Sequence, residues 1–394
     1  MRVLEINVCS GCKSTGRIAS DIAKQFIDKG HEAVIAYGRG FVDCGIETYK
    51  ISSNWSVKLD ALKTRIFDNA GFNNRKATKK FIEWIRSYNP DVIHLHNLHG
   101  YYINVELLFK YLKTCGKKIL WTLHDCWAFT GHCAHFDFVC CDKWKVGCEK
   151  CVQKKEYPAS LLVDSSKRNY KKKKELFTGI PNLTIVTPSR WLADLVKQSF
   201  LKEYSICVIH NGIDTESFQP IENSLRQSYN LKDKKILLGV ASPWSKKKGF
   251  DDFLKLADLI AQEYKIVLIG LNDKQIKKIP SNAVGIKRTH SKKELAEWYS
   301  VANVFVNPTY EDNYPTVNLE AQACGTPVVT YRTGGSVESV PDNYVVEQGN
   351  VKELYEKIQQ IVGAKEKEVI SPKKAGNASE EYAKLLDGCL KDDR

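Results

Sequence analysis

The chain has 394 residues, of which 43% are hydrophobic and 27% are charged, a composition that excludes a disordered protein. It has no run of about 18 apolar residues, which a membrane-crossing helix would need, and its length predicts two domains. The formal net charge of +13 indicates an anionic partner, and nucleic acid, a membrane surface and a phosphorylated substrate all remain open.

The N-terminal part alternates predicted strands and helices. "RVLEINV" is a predicted strand, because an acid interrupts its apolar run and no signal-peptide core follows. Residues 15–30 are a predicted helix, with Ile18, Ile22 and Phe26 on one face and Gly30 as the C-terminal stop. Without an export signal, the thirteen cysteines are expected to be thiols or metal ligands.

Further strands are predicted at 91–96, 117–124 and 183–189, and the alternation restarts near 205–220 with a second βαβ series. Apolar strands with helical crossovers predict parallel sheets covered on both faces. The predicted fold is therefore α/β, with two doubly wound Rossmann-like domains facing across a cleft. Basic runs such as Lys171 to Lys174 are expected to be solvated. The expected parts are a domain 1–205 with a Cys-rich insertion 126–151, a domain 206–374, and a segment 375–394 whose helix packs back on the first domain.

The stretch "EDNYPTVNLEAQACGTPVV", residues 311–329, places acids on both sides of a predicted helix start. Asp312 lies on the loop after a strand, and Glu320 lies further along the helix. The free N–H groups at a helix start suit a phosphate, and a carboxylate accepts hydrogen bonds from hydroxyl groups. A nucleotide sugar offers both, a diphosphate between two polyols, so the stretch is a predicted donor site.

Three motifs carry a resemblance to a known family. They are the two acids Asp312 and Glu320 followed by "CGTPVV", the connector "NGID" at 211–214, and "SKKKGFDDF" at 245–253. Over most of its length the chain resembles the retaining GT-B glycosyltransferases of glycosyltransferase family 4. It looks closest to the branch that includes colanic acid and O-antigen transferases, and the segment "HDCWAFTGHC" is one of those that carry this likeness.

The resemblance implies the chemistry and the setting. A sugar would pass from a UDP- or GDP-sugar, with retention, to a lipid-linked saccharide in bacterial surface polysaccharide synthesis. The first domain would face the acceptor and the second would bind the donor. The enzyme would be cytoplasmic, held at the inner face of the membrane by anionic lipid. Since no metal-binding acid pair is evident, catalysis without a metal cofactor is expected, and nucleic acid is not an expected partner.

The resemblance also implies residue roles. Glu320 would hold the ribose hydroxyls, and His124 would lie near the donor sugar and the acceptor. Asp312 stands where the family has its first motif glutamate, with Glu311 beside it, so either acid is a candidate for contact with the sugar. The candidate catalytic residues are His124, Asp312 and Glu311. The implied donor-binding residues are Gly16, Lys247, Lys248, Asp312, Asn313, Tyr314, Pro315, Thr316 and Glu320.

Two of these assignments concern the diphosphate. Lys247 and Lys248 would meet its charge, and Gly16 would let the backbone of the first domain approach it. The family's arginine in the second domain is absent from "GVASPW", and Lys246 or Lys247 would replace its charge.

Two clusters have open interpretations. His94, His96 and His99 alternate along a strand end, which suits structural packing best, with metal or acceptor binding as alternatives. The segment 126–151 holds six of the thirteen cysteines, and Cys148-x-x-Cys151 is half of a zinc-type site. A structural zinc site is expected from Cys133, Cys141, Cys148 and Cys151, with Cys140 as an alternative to Cys141; free thiols and disulfides also remain open.

Two other classes of protein compete with a transferase. A basic nucleic-acid-binding protein with a structural zinc site fits the charge, but the basic residues are spread out and no reader motif is present. A dehydrogenase would need a glycine-rich dinucleotide loop, which "CSGCKSTGR" lacks.

Overall fold

The computed structural model describes residues 1–364, 368–369, 371 and 375–386. It forms two compact units, one containing Met1–His210 and a C-terminal helix, and the other beginning at Asn211. The predicted boundary lay between residues 205 and 206. The first unit extends further because strand Ser205–Val208 pairs with Leu183–Thr187 and completes its sheet. Residues 387–394 of the predicted C-terminal segment lie outside the described residues.

The first unit is built on a seven-stranded parallel sheet in the order β3-β2-β1-β4-β5-β6-β7. Its strands are β1 (Arg2–Asn7), β2 (Glu32–Tyr37), β3 (Glu47–Lys50), β4 (Val92–Leu95), β5 (Lys118–Thr122), β6 (Leu183–Thr187) and β7 (Ser205–Val208). Its first six helices are α1 (Lys13–Asp28), α2 (Asn54–Phe67), α3 (Arg75–Tyr88), α4 (Val105–Leu112), α5 (Ser166–Phe177) and α6 (Arg190–Gln198).

The second unit has a six-stranded parallel sheet in the order β10-β9-β8-β11-β12-β13. Its strands are β8 (Lys235–Val240), β9 (Tyr264–Ile269), β10 (Ala283–Ile286), β11 (Val304–Asn307), β12 (Val328–Tyr331) and β13 (Val345–Val346). Its helices are α7 (Leu225–Ser228), α8 (Phe250–Leu259), α9 (Asp273–Ile276), α10 (Lys292–Val301), α11 (Thr316–Ala323) and α12 (Val351–Gly363). Both sheets therefore have the doubly wound strand order.

The last helix, α13 (Ala375–Leu386), belongs to the first unit. Tyr382 and Leu386 lie in one apolar cluster with Ile22 and Phe26 of α1, on one face of the first sheet. The opposite face carries a separate, larger cluster, so the strands are buried on both sides, as their apolar sequences predict. None of the helices in the described ranges combines the length and apolar character that a bilayer crossing requires.

The Cys-rich segment 126–151 folds as loops and short 3-10 turns packed on the first unit. Its aromatic rings pack on one another: Phe136 stacks on Trp144 at 5.0 Å between ring centroids, and Phe129 meets Trp144 edge-on at 5.3 Å. These rings bury apolar area inside the segment, so they form a small core of their own.

Lys173 corrects the expectation that the run 171–174 is solvated. This side chain is only 1% exposed, and its ammonium donates to the carbonyl oxygens of Trp127 (2.7 Å) and Thr130 (3.1 Å). It also lies 3.5 Å from the centre of the Trp127 ring. Burial lowers the pKa of Lys173 to about 7. One lysine of the run thus attaches α5 to the Cys-rich segment, because its position coincides with the buried face of the helix.

We predict that Lys173→Met destabilises the protein by about 1–3 kcal/mol, because methionine fills the space but leaves two buried carbonyl oxygens without their donor. Urea unfolding of the variant and the wild type measures the difference. Lys174→Met is the matched control, since this neighbour is exposed and its replacement should change stability by less than about 0.5 kcal/mol. Equal effects of the two substitutions would contradict the assignment.

Candidate active site

The lysine loop of the second unit meets the loop that follows β11. Lys246–Lys248 form a 3-10 turn that ends at Gly249, whose φ is +74°. A Cβ at Gly249 would overlap the carbonyl oxygen of Pro308, so both the backbone angle and the close approach require glycine. The N–H of Tyr310 donates to the Lys247 carbonyl at 2.8 Å. The turn and the acidic loop are therefore held together through their backbones.

Two ion pairs join these loops. The ammonium of Lys247 lies 2.9 Å from Glu311 Oε2, and that of Lys248 lies 2.6 Å from Asp312 Oδ2. Lys248 also donates to the carbonyl of Glu311 at 3.1 Å. The side chain of Glu311 is only 5% exposed and that of Asp312 is 21% exposed. Of the two acids, Asp312 is thus the one that a ligand can reach more easily.

Helix α11 begins directly after this loop. Pro315 is the N-cap and Thr316 the first residue, and no side chain caps the N-terminal N–H groups. Glu320, one turn further on, is 7% exposed and accepts a hydrogen bond from the Tyr299 hydroxyl at 3.0 Å. Loop residue Tyr314 is tied down because Asn211 donates to its carbonyl at 3.3 Å. The predicted catalytic and donor-binding residues of this unit thus lie on one loop, the adjoining turn and one helix: Lys247, Lys248, Glu311 to Thr316 and Glu320.

In the first unit, His124 follows β5 and is half-buried. Its Nε2 lies 3.0 Å from Nδ1 of His96, whose Nε2 lies 2.7 Å from Oε2 of Glu5. Nδ1 of His94 contacts the same carboxylate, 3.2 Å from Oε1. Glu5, His94 and His96 are at most 1% exposed. Two of the three predicted histidines therefore belong to a buried hydrogen-bonded network around Glu5.

The charges in this network follow from burial and from mutual contact. Burial opposes ionisation of Glu5, but the His94 and His96 rings outweigh it and hold its pKa at about 2. Burial and the neighbouring His94 lower the pKa of His96 to about 4. Burial, with the nearby His96, lowers the pKa of His124 well below its usual range. At neutral pH, Glu5 is a carboxylate, and His96 and His124 are neutral.

The third predicted histidine has a different partner. His99 Nε2 lies 2.7 Å from Asp125 Oδ2, and its Nδ1 lies 3.2 Å from the Tyr157 hydroxyl. Burial opposes ionisation of Asp125, but His99 outweighs it and lowers the pKa of that acid to about 2. Asp125 Oδ1 also accepts from the N–H of Trp127 at 2.9 Å. This pair anchors the start of the Cys-rich segment beside His124.

Gly16 lies in the first turns of α1 and is buried. A Cβ at this position would lie 2.9 Å from Cys9 Sγ and 3.2 Å from the Cys9 carbonyl oxygen. Packing therefore explains why residue 16 is a glycine: α1 approaches the loop after β1 too closely for a larger side chain. This reason is separate from the implied approach to a diphosphate.

Among the described residues, one group of three or more His, Cys, Asp or Glu side chains has ligand-type atoms that all lie within 4.8 Å of one another: Glu5, His94 and His96. The four cysteines of the expected zinc site do not form such a group, although Cys133, Cys141, Cys148 and Cys151 line one small cavity. Cys140 is exposed and points elsewhere, bonding to the Asp137 carbonyl. Within the part of the chain that the structure describes, the cysteines are thiols and form no disulfide.

Sequence reasoning missed Glu5, Asp125 and Lys173. A signal for Glu5 was present, because an acid inside an otherwise apolar central strand must find partners when it is buried. Its partners, His94 in β4 and His96 just after it, are distant in sequence, so the pairing itself needed the sheet register Glu5↔His94.

The fold and these sites define a class of protein. Two doubly wound units, one carrying a lysine loop beside paired acids and a helix start, form the GT-B architecture of glycosyltransferases. HepE of Anabaena, solved in complex with UDP-glucose, has this fold: it matches 98% of this chain and 100% of its own with a TM-score of 0.65, at 14% sequence identity.

The family follows from sequence comparison. Residues 15–217 match the family described as Glycosyltransferase Family 4, and residues 222–381 match Glycosyl transferases group 1. Because the first match spans more than half of the 394 residues, the chain belongs to glycosyltransferase family 4. It is a retaining glycosyltransferase.

Two curated relatives illustrate the similarity. WcaC of Escherichia coli K12, named as a colanic acid biosynthesis glycosyl transferase, is 25% identical over 86% of this chain and 85% of its own length. The N,N'-diacetylbacillosaminyl-diphospho-undecaprenol alpha-1,3-N-acetylgalactosaminyltransferase of Campylobacter jejuni is 28% identical over 50% of this chain and 58% of its own. The resemblance to surface-polysaccharide enzymes thus extends through most of the chain.

Proposed function

We propose that this enzyme transfers a sugar from a nucleotide-diphosphate donor to a lipid-linked saccharide, in the synthesis of a bacterial surface polysaccharide. The observation that carries the proposal is the pairing of Lys247 and Lys248 with Glu311 and Asp312 beside the start of α11. UDP-glucose in HepE and the diphospho-undecaprenol in the name of the Campylobacter relative support the donor and acceptor classes.

The chemistry of the leaving group suits this loop. When the sugar departs, negative charge builds on the diphosphate, and fixed ammonium groups and a helix N-terminus stabilise that charge. In the proposal the diphosphate takes over Lys248, which releases Asp312 to accept a hydrogen bond from a sugar hydroxyl. Glu320 accepts from the ribose hydroxyls. No metal is required, because lysines supply the positive charge.

The first unit contributes the remaining proposed contacts. We retain Gly16 as a backbone contact of the diphosphate and His124 as a contact of the transferred sugar and the acceptor. Glu311 stays a candidate for the sugar, although its near-complete burial beside Lys247 favours Asp312.

We predict that the wild-type enzyme binds either UDP or GDP, and that Glu320→Gln weakens this binding by about 10- to 150-fold, since hydrogen bonds to a charged group contribute about 1.5–3 kcal/mol. Isothermal titration calorimetry measures both affinities. Glutamine keeps an acceptor for the Tyr299 hydroxyl, so the fold should be retained. Glu356→Gln, at an exposed position of α12, is the control and should bind like the wild type.

Failure of the wild type to bind either nucleotide would contradict the donor proposal. Unchanged binding by Glu320→Gln would remove this residue from the donor site and leave the transferase assignment standing. The acceptor is tested separately, by transfer of labelled sugar into lipid-extractable material.

The membrane part of the proposal rests on α2. Trp55, Leu59 and Leu62 are 75%, 41% and 55% exposed and recur at helical spacing on one side of the helix. The segment after residue 160 extends this apolar surface, because the Leu161 N–H donates to the Arg65 carbonyl at 2.7 Å and the Leu161 side chain is 61% exposed. Exposed basic residues flank it on α2: Lys58, Lys63 and Arg65. We propose that this surface lies on anionic lipid at the cytoplasmic face of the membrane.

Binding to vesicles that contain phosphatidylglycerol is expected to fall about tenfold or more in Trp55→Ser, because burying a large apolar side chain contributes about 1.5–3 kcal/mol. Cosedimentation measures it, and raising the salt concentration should weaken it as well. Leu259→Ser, at an exposed apolar position in α8 of the second unit (47% exposed), should bind like the wild type. Equal binding by all three proteins would contradict the surface assignment.

A structural zinc ion in the Cys-rich segment is a further part of the proposal. The supporting observations are the shared cavity of the four cysteines, the N–H of Gly131 donating to Cys148 Sγ at 3.2 Å, and the contact between Cys133 and Cys151. Hydrogen bonding from the Cys133 thiol lowers the pKa of Cys151 to about 7, which favours the thiolate that zinc binds. The four sulfur atoms would have to move closer together on binding.

Elemental analysis of the purified protein is expected to find stoichiometric zinc, and Cys141→Ser is expected to lose it together with thermal stability. The neighbouring Cys140→Ser is the matched control and should keep both, because Cys140 lies outside the cavity. A wild-type protein without zinc, refolded in its presence, would refute the site.

A further inference from the structure

Six side chains form one continuous hydrogen-bonded chain through the interior of the first unit. They come from β1, β4 and β5, the positions just after β4 and β5, and α13. In order they are Tyr382, Thr122, His94, Glu5, His96 and His124. The first five are at most 3% exposed, whereas His124, the last member of this hydrogen-bonded series, is half-buried. A buried network with one accessible end can transmit an orientation to that end.

The Glu5 carboxylate fixes the direction of the two hydrogen bonds that it accepts. An ionised carboxylate only accepts hydrogen bonds, so His94 must donate through Nδ1–H and His96 through Nε2–H. The contacts are short, 2.7 Å from His96 Nε2 to Glu5 Oε2 and 3.0 Å from His94 Nδ1 to the same oxygen. The low pKa of Glu5, held by these two rings against the effect of burial, agrees with its ionised state.

The branch through His94 ends without conflict. With its proton on Nδ1, a neutral His94 accepts from the Thr122 hydroxyl at Nε2 (2.8 Å), and Thr122 accepts from the Tyr382 hydroxyl (3.1 Å). Each donor has an acceptor, so the buried groups are satisfied. If His94 were protonated on both nitrogens, this branch alone would reverse, because His96 would still donate to Glu5.

The branch through His96 sets the state of His124. A neutral His96 that donates through Nε2–H carries a lone pair on Nδ1, so the 3.0 Å contact with His124 requires Nε2–H of His124 as the donor. A neutral imidazole has one N–H. Nδ1 of His124 therefore carries a lone pair. The low pKa values of His96 and His124 are consistent with two neutral rings.

We propose that Glu5 and His96 are positioning residues that hold His124 in the tautomer with the proton on Nε2 and a lone pair on Nδ1. Polarisation along the series of hydrogen bonds makes this lone pair a stronger acceptor. With the proposed sugar transfer, on which this part rests, His124 accepts a hydrogen bond from a hydroxyl of the bound sugar or acceptor. An imidazole in the other tautomer would instead present a donor.

A metal site or a purely structural network would behave differently. A metal ion on Glu5, His94 and His96, whose ligand atoms lie within 4.8 Å of one another, would occupy the nitrogens that here donate to the carboxylate. In a network that only fills the core, the tautomer of His124 would not depend on Glu5. The protonation state of each His124 nitrogen, measured with and without the Glu5 carboxylate, separates these two roles from the proposed one.

The test is the imidazole ¹⁵N NMR spectrum of histidine-labelled full-length enzyme at neutral pH, with the His124 signals assigned by their loss in His124→Asn. We expect the proton of His124 on Nε2 and a lone-pair shift for Nδ1. A proton on Nδ1 in the wild type would overturn the proposal without any need for a variant at the network. This readout requires no substrate, so its failure is distinguishable from failure of the proposed transfer reaction.

Glu5→Gln then tests the cause. A glutamine amide also donates, which removes the fixed direction, so the His124 Nδ1 signal should move towards the protonated position. Once a donor is known, kcat/KM should fall about 10- to 100-fold, by analogy with the loss of other orienting partners. The matched control is Tyr382→Phe, which removes a hydroxyl from the His94 branch only and should leave the His124 signals unchanged.

An unchanged His124 spectrum in a folded Glu5→Gln protein would overturn the proposal. So would a bound metal that persists in Cys141→Ser and is lost in Glu5→Gln. Equal spectral effects of Glu5→Gln and Tyr382→Phe would show a general loosening of the core and would also contradict it.

Discussion

The parallel pairing of the strands is the constraint on which the functional geometry of both units depends. In a parallel sheet all strands end at the same edge, so the segments that follow them converge there although they are distant in sequence. In the first unit this brings Glu5 into register with His94 and places His124 within reach of His96. In the second, the turns after β8 and β11 meet at the lysine and acid pairs.

The two sites handle charge in opposite ways. In the second unit, Lys247 and Lys248 are partly exposed and each faces an acid, so a ligand phosphate can replace a carboxylate at small desolvation cost. In the first unit, the Glu5 charge lies entirely inside the protein and is stabilised by two imidazole N–H donors. A partly exposed charge pair suits ligand exchange, whereas a buried carboxylate suits a permanent orienting role.

The Cys-rich segment shows how a surface insertion becomes part of the framework. Its rings Phe129, Phe136 and Trp144 pack on one another, and polar contacts attach it to the rest of the first unit. Two of these contacts lie near its start. One is the Lys173 ammonium on the Trp127 and Thr130 carbonyls, and the other is Asp125 with His99. Both contacts lie at the end of the segment that follows His124 in the sequence.

The sequence by itself determined many of the elements, the two-sheet α/β architecture and the position of the loop that we propose binds the donor. Apolar periodicity and the spacing of Asp312 and Glu320 are local properties, and local properties are visible along the chain. The strand near residue 205 was predicted, but its membership in the first sheet was not, because that is decided by pairing with β6.

Only the tertiary structure decided which polar residues meet. The partners of Glu5, the burial of one lysine in a basic run, and the difference in exposure between Glu311 and Asp312 depend on contacts between distant segments. Residue type alone cannot predict these, because the same acid or lysine is stable in solvent or inside the protein, according to whether the fold supplies it with partners.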